Sequence, residues 1–162
     1  MARKVMNVIV AGLGGQGVIK ASDILADAAF RDGRDVKKAE VHGMSQRGGS
    51  VTTDVRYGEE VLSPMIPWGE ADFIVVCAPS EVEGVRPLLR PGGLLIAPDF
   101  VDEAKLGNRR SLNVALLGAL STHLDIPEER WSEAINAALP PHLPDVNAKA
   151  FRLGRETAAA RK

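Results

Sequence analysis

The stretch from Val5 to Phe30 constrains this chain more than any other. Val5-Met6-Asn7-Val8-Ile9-Val10-Ala11 is a largely apolar run, and Gly12-Leu13-Gly14-Gly15-Gln16-Gly17 follows it directly. Val18–Phe30 then carries Ile19, Ala21, Leu25, Ala28 and Ala29 as a broad apolar stripe. An apolar run of that kind reads as a strand covered on both faces, and the stripe reads as an amphipathic helix. The join satisfies G-x-G-x-x-G, where glycine permits a tight turn and close approach to the backbone. The same N-terminal run, preceded by Arg3 and Lys4, superficially resembles a signal peptide. Asn7 interrupts it, it is too short to span a bilayer, and glycines stand where a small-residue cleavage site would sit.

The rest of the chain continues the alternation. Val36–Val41 reads as a second strand, and Val51, Thr53, Val55 and Tyr57 alternate with more polar residues as in a half-exposed strand. Gly58-Glu59-Glu60 is expected to turn that strand into Val61-Leu62 as a hairpin. Asp72–Ala78 and Leu94–Ala97 are further apolar strands, the latter after a Pro91-Gly92-Gly93 turn. Between them, Ser80 and Glu83 stand at capping-box spacing for a helix start. Leu112, Leu116, Ala119, Leu120 and Leu124 recur at helical spacing, and Pro127-Glu128 opens a helix carrying Trp131, Ile135 and Leu139. Pro140-Pro141 ends it, and Pro144-Asp145 starts a last helix with Val146, Ala150 and Leu153 on one side. The fold expected is α/β: a mostly parallel, mixed open sheet flanked by helices, Rossmann-like, with a helical C-terminal third. No repeat or long linker divides residues 1–162, which read as one domain.

Composition narrows the function. Of 162 residues, 45% are hydrophobic and 25% charged, with a net charge of −1 and seven aromatics. That balance argues against nucleic-acid binding, and no membrane segment is visible. A single cysteine excludes an internal disulfide and any iron–sulfur cluster held by four cysteines of this chain. It also fits a reducing compartment, so the cytoplasm is the expected location. His123 and His142 lack partners at metal-ligand spacing, and His42 is as compatible with a structural as with a catalytic role. Cys77 reads as a small buried apolar residue. The sequence contains no nucleophile elbow, no G-K-[ST] phosphate loop and no H-E-x-x-H, so no catalytic or metal-binding residue is assigned.

Two loops carry the functional signal. The glycine loop ends at a helix N-terminus, whose unpaired N–H groups and dipole suit an anion. Glu40 lies roughly where a dinucleotide-binding fold keeps its ribose carboxylate, so a nicotinamide or flavin site is one reading. A packing or subunit-contact role for the glycines is the other. The second loop is Glu40-Val41-His42-Gly43-Met44-Ser45-Gln46-Arg47-Gly48-Gly49-Ser50. If the strands run in parallel, it emerges at the same sheet edge, as do the loops carrying Ser80 and Asp99. Arg47 could clamp a phosphate or carboxylate, with Ser45 and the Gly48 and Gly49 amides as further donors.

Together these residues resemble a known family. Val8–Gly17, then His42-Gly43-Met44-Ser45-Gln46-Arg47-Gly48-Gly49-Ser50-Val51, is similar to the gamma subunit or domain of 2-oxoacid:ferredoxin oxidoreductases. The resemblance continues through Asp54-Val55-Arg56, Ser63-Pro64, Ala71-Asp72, Asn113, Leu117-Gly118-Ala119 and Phe151-Arg152-Leu153-Gly154. Within the family, Gly43–Gly49 is similar to the small subunit of the indolepyruvate (arylpyruvate) branch rather than the pyruvate or 2-oxoglutarate branches. The resemblance implies oxidative decarboxylation of a 2-oxoacid on thiamine diphosphate, with formation of an acyl-coenzyme A and electron transfer through iron–sulfur clusters to ferredoxin. Thiamine diphosphate and the clusters would belong to a large partner subunit, leaving this chain inactive alone. It implies that Gly12, Gly14, Gly15, Gln16 and Gly17, with Ser45, Arg47, Gly48 and Gly49, face the junction with that partner and the approach of coenzyme A. An independent dinucleotide-binding domain and a pure assembly subunit are the competing readings.

Overall fold

The computed structural model describes residues 4–42, 49–140 and 144–161. Five strands form one sheet: β1 (Met6–Leu13), β2 (Asp35–His42), β3 (Ser50–Gly58), β4 (Ala71–Val76) and β5 (Leu89–Ile96), in the order β2-β3-β1-β4-β5. β4 runs parallel to both β1 and β5, whereas β3 is antiparallel to both β1 and β2. Four strands therefore point the same way and β3 alone opposes them, which makes the sheet mixed as expected. The helices are α1 (Val18–Arg31), α2 (Val82–Val85), α3 (Leu112–Ser121), α4 (Glu128–Ala138) and α5 (Pro144–Ala160), the last three filling the C-terminal third.

Three local expectations give way to tertiary contacts. Val61-Leu62 forms no hairpin strand after β3. The Val61 amide donates instead to Asp35 Oδ2 at 2.8 Å, and the Arg56 guanidinium donates to the Ser63 and Met65 carbonyls at 2.9 and 3.2 Å. The chain therefore leaves the sheet, and the antiparallel partners of β3 are β1 and β2. Ser80 and Glu83 form no capping box; Pro79–Glu81 is a single 3₁₀ turn running into the four-residue α2, with no side-chain cap. Pro91-Gly92-Gly93 is not a turn ahead of the last strand but an irregularity within β5, where the pairing with β4 shifts between Ala71 and Phe73.

The two faces of the sheet are covered unequally. Val8, Val10, Val55, Tyr57, Val75 and Ile96 face the main core, closed by α1, α3, α4 and α5. Alternate residues of the same strands, Ile9, Ala11, Ile74 and Val76, face a smaller cluster closed by Val85 with Ile66, Val82 and Leu88. Within the main core, α3 and α5 touch backbone to backbone. A Cβ on Gly118 would collide with the Phe151 carbonyl, and one on Gly154 with the Ala115 carbonyl. Trp131 and Phe151 complete the contact between α4 and α5, with ring centroids 5.7 Å apart. At the far end of β1 the buried Asn7 and Asp72 anchor a polar cluster. The Asp72 carboxylate accepts from the Asn7 amide at 2.9 Å and from Arg90 Nε at 2.6 Å, with Lys4 Nζ 3.3 Å away.

Candidate functional site

Because four strands share a direction, their C-terminal ends meet at one edge. The register places Leu13 opposite Ser50, and Val51 opposite both Gly12 and His42. The loops after β1 and β2 thus emerge side by side even though β3 lies between these strands. The Gly14 amide donates to the Gly49 carbonyl at 2.9 Å, joining the two loops directly. Gly14, Gly15, Gln16, Gly17 and Gly49 therefore belong to one surface, and Gly12 is buried beneath it at the end of β1. Ser45, Arg47 and Gly48, with Gly43, Met44 and Gln46, lie outside the described residues.

The glycine loop is organised largely by its own side chain and by neighbouring elements. Gln16 folds back so that its Oε1 accepts from the Leu13 amide at 2.7 Å and its Nε2 donates to the Cys77 carbonyl at 3.4 Å. A Cβ on Gly12 would stand 2.8 Å from Gln16 Oε1 and 2.8 Å from Val18 Cγ2, so glycine is needed for this fold-back and for seating α1. Gly17, with φ +75°, caps α1 in the left-handed region, and Asn113 of α3 packs against it. The Gln16 amide donates to the Leu13 carbonyl at 3.1 Å. The amides of Leu13, Gly14 and Gln16 are thus engaged within the protein rather than turned to a pyrophosphate.

Glu40 does not occupy the ribose-binding position that its sequence spacing suggested. β3 separates β2 from β1, which sets Glu40 one strand farther from the glycine loop than a dinucleotide fold requires. Its carboxylate is 2.8 Å from Lys38 Nζ, which also pairs with Asp23 of α1. Asp99 anchors the C-terminus of α5: its carbonyl accepts from Arg161 at 2.9 Å, while the Arg161 guanidinium stacks on Phe100 at 3.9 Å. Ser50 donates to Glu81 at 2.8 Å, tying the start of β3 to the turn after β4. His123, at the end of α3, stacks obliquely near Phe73.

A cavity of about 320 Å³ opens beside the glycine loop. Gly15, Gln16, Gly17 and Cys77 line one side, and Arg109, Arg110, Leu112 and Asn113 the other. The two arginines stand on a 3₁₀ turn (Arg109–Ser111) held by Asn108, whose side chain accepts from the Arg110 amide at 3.0 Å. Among the described residues neither guanidinium makes an ion pair, so both remain available to an anion. Sequence reasoning passed over them; the available signal was an Arg-Arg pair immediately before an apolar helix. Cys77 contributes shape rather than reactivity, because burial pushes its thiol from 9.0 up to about 12. On the other flank a second hollow of about 400 Å³ lies between the glycine loop, Val51 and Lys20. The site is a ridge of glycines between two recesses, one carrying two cationic side chains.

Comparison with known proteins gives this edge its context. Residues 7–104 match the family described as pyruvate ferredoxin/flavodoxin oxidoreductase. The chain is 36% identical to the indolepyruvate oxidoreductase subunit IorB of Thermococcus kodakarensis over 96% of both chains. In fold it resembles the gamma subunit of a keto/oxoacid ferredoxin oxidoreductase from Geobacter sulfurreducens, with a TM-score of 0.82, 23% identity and coverage of 97% and 98% of the two chains. It also resembles part of the 2-oxoglutarate:ferredoxin oxidoreductase from Magnetococcus marinus described with 2-oxoglutarate, coenzyme A and succinyl-CoA bound (TM-score 0.84, 24% identity, covering 97% of this chain and 31% of that one). The match across most of the chain, together with its mixed five-stranded fold, establishes that this protein belongs to the pyruvate ferredoxin/flavodoxin oxidoreductase family.

Proposed function

We propose that this chain is the non-catalytic small subunit of an indolepyruvate-type 2-oxoacid:ferredoxin oxidoreductase. In this reading it forms one domain, and its glycine edge borders the path of coenzyme A to the larger subunit. The reaction converts R–CO–COO⁻, coenzyme A thiol and two oxidised ferredoxins into R–CO–S–CoA, CO₂, a proton and two reduced ferredoxins. Thiamine diphosphate in the larger subunit would supply the carbanion chemistry at the 2-oxo carbon. With one cysteine, the present chain cannot itself supply the four thiolates of an iron–sulfur cluster.

The observation that carries the proposal is the cavity between Gly15–Gly17 and the Arg109–Arg110 turn. Two guanidinium groups beside a helix N-terminus fit the chemistry of phosphate groups, which coenzyme A presents at its nucleotide end. Engagement of the Leu13, Gly14 and Gln16 amides, together with the displaced Glu40, weighs against an autonomous nicotinamide or flavin site. Arg47, expected from sequence to clamp an anion, falls between β2 and β3 in the sequence, and in this reading it would add to the cationic rim.

Anoxic co-purification with the larger subunit tests the reading. The complex is expected to reduce ferredoxin with indolepyruvate only when coenzyme A is supplied, while the isolated small subunit is inactive. Binding of NAD or a flavin by the isolated chain, lost in a Glu40→Ala variant, would overturn it.

A further inference from the structure

The parallel part of the mixed sheet, β1-β4-β5, is expected to be covered on both faces, yet here the second face carries only a thin layer. That layer is α2 with its flanking turns, together with the segment between β3 and β4. The segment turns Val61 and Ile66 inward and leaves Leu62, Met65 and Trp68 exposed by 87%, 54% and 76%. It is not a loosely held loop. Asp35 accepts from the Val61 amide at 2.8 Å and Asp54 from the Ile66 amide at 3.0 Å. Arg56 spans the segment from below, donating to the Ser63 and Met65 carbonyls and, through Nε, to Asn7 Oδ1 at 2.9 Å. Side chains from three strands thus fix the main chain in one shape while its apolar side chains remain in water.

Resting on the small-subunit reading above, we propose that residues 59–70 dock the larger subunit, which presents an apolar groove rimmed by lysine or arginine. A pre-ordered segment binds without the cost of ordering itself on contact. Tryptophan and methionine are enriched at interface centres, and tryptophan often dominates their energetics. Glu60 and Glu70 are exposed at the two ends of the apolar stretch, and the segment from 59 to 70 contains no lysine or arginine, with the exposed Lys4 lying beside Gly58 just outside it. That rim complements a basic partner and disfavours a second copy of this chain, because a twofold contact would bring acidic rims together. The segment leaves β3 where Tyr57 pairs with Met6, at the sheet end opposite the glycine edge. A larger subunit docked here would meet the glycine edge and its coenzyme A path by extending along the second face of the sheet.

The two tryptophans provide the test, since Trp68 is exposed and Trp131 fully buried. The full chain is labelled with 5-fluorotryptophan, the Trp68 signal is assigned with a Trp68→Phe variant, and unlabelled larger subunit is titrated in. The Trp68 resonance is expected to lose its solvent-isotope shift on complex formation while that of Trp131 stays unchanged. Leu62→Glu should weaken association at least tenfold, whereas Phe30→Glu, an equally exposed apolar site on α1, should not. A complex in which Trp68 stays solvent-exposed and Leu62→Glu binds normally would overturn the docking surface and leave the small-subunit reading standing. Failure of the larger subunit to bind at all would overturn both. A Trp68 signal that changes with the concentration of this chain alone would assign the surface to a second copy and overturn the proposal.

Discussion

The side-chain amide of Asn113 donates to the carbonyl of Gly17 at 3.1 Å, so the second residue of α3 holds the cap of α1 from across the core. Residues 96 positions apart in sequence thereby set the width of the cavity that Arg109 and Arg110 line. Gly17 meets two demands there: its φ of +75°, and the absence of a Cβ where the Asn113 amide sits.

Gly15 separates those demands, because it has φ +89° and nothing lies within 4 Å of where a Cβ would stand. Gly15→Ala should cost only the left-handed strain, about 1 kcal/mol. Gly17→Ala adds displacement of Asn113 and should cost roughly 2–3 kcal/mol. In thermal denaturation, where 1 kcal/mol shifts Tm by about 2–4 °C at this size, Gly17→Ala should melt clearly below Gly15→Ala. Equal melting temperatures would show that Asn113 adjusts freely.

The double variant Arg109→Ala, Arg110→Ala should raise the KM for coenzyme A by roughly tenfold in the reconstituted complex, since each exposed ion pair contributes up to about 1 kcal/mol. Decarboxylation of the 2-oxoacid, followed as CO₂ exchange, should be unchanged. Ionic strength should raise the wild-type KM more than that of the double variant. An unaltered KM would remove these residues from the coenzyme path.

Contact between α3 and α5 has no space for a methyl group. Gly118→Ala and Gly154→Ala should each destabilise by about 3 kcal/mol, at the upper end for overpacking. Because both residues occupy one helix crossing, the double variant should cost less than the sum of the two. Urea denaturation monitored by the buried Trp131 reads both effects; additivity would mean that the helices separate independently at the two points.

Stability should fall at alkaline pH. Burial raises the Cys77 thiol from 9.0 to about 12 and raises the Tyr57 hydroxyl well above its ordinary 10.0. Between the ordinary and raised values the unfolded chain has lost protons that the folded chain retains. Deprotonation therefore favours unfolding, by up to about 1.4 kcal/mol per pH unit for each group. For Cys77 the loss begins near pH 9 and levels off near 12, and Cys77→Ala should remove that share while leaving the Tyr57 share. In the native chain at about pH 8 the thiol should also resist a disulfide reagent that reacts on unfolding. A stability profile that stays flat from about pH 8 to about pH 11 would contradict this.

The sequence alone determined the βα opening unit, the alternation that makes an open sheet, the helical C-terminal third and the family resemblance. These depend on local periodicity and on glycines spaced along a few residues, which the chain displays without reference to distant parts. Tertiary structure decided that β3 inserts between β1 and β2, because pairing requires the partner strand and not the pattern alone; Glu40 lost its expected role for that reason. It decided that Val61 leaves the sheet, since Asp35 and Arg56 capture the backbone groups a hairpin would have used. It also brought Arg109 and Arg110, far downstream in the chain, to the side of the glycine loop. Periodicity shows which face of an element is apolar, whereas the position of a charged side chain depends on how helices and strands pack. The glycines could therefore be read as a site from the sequence, while the cationic wall of that site emerged only when α3 packed against α1.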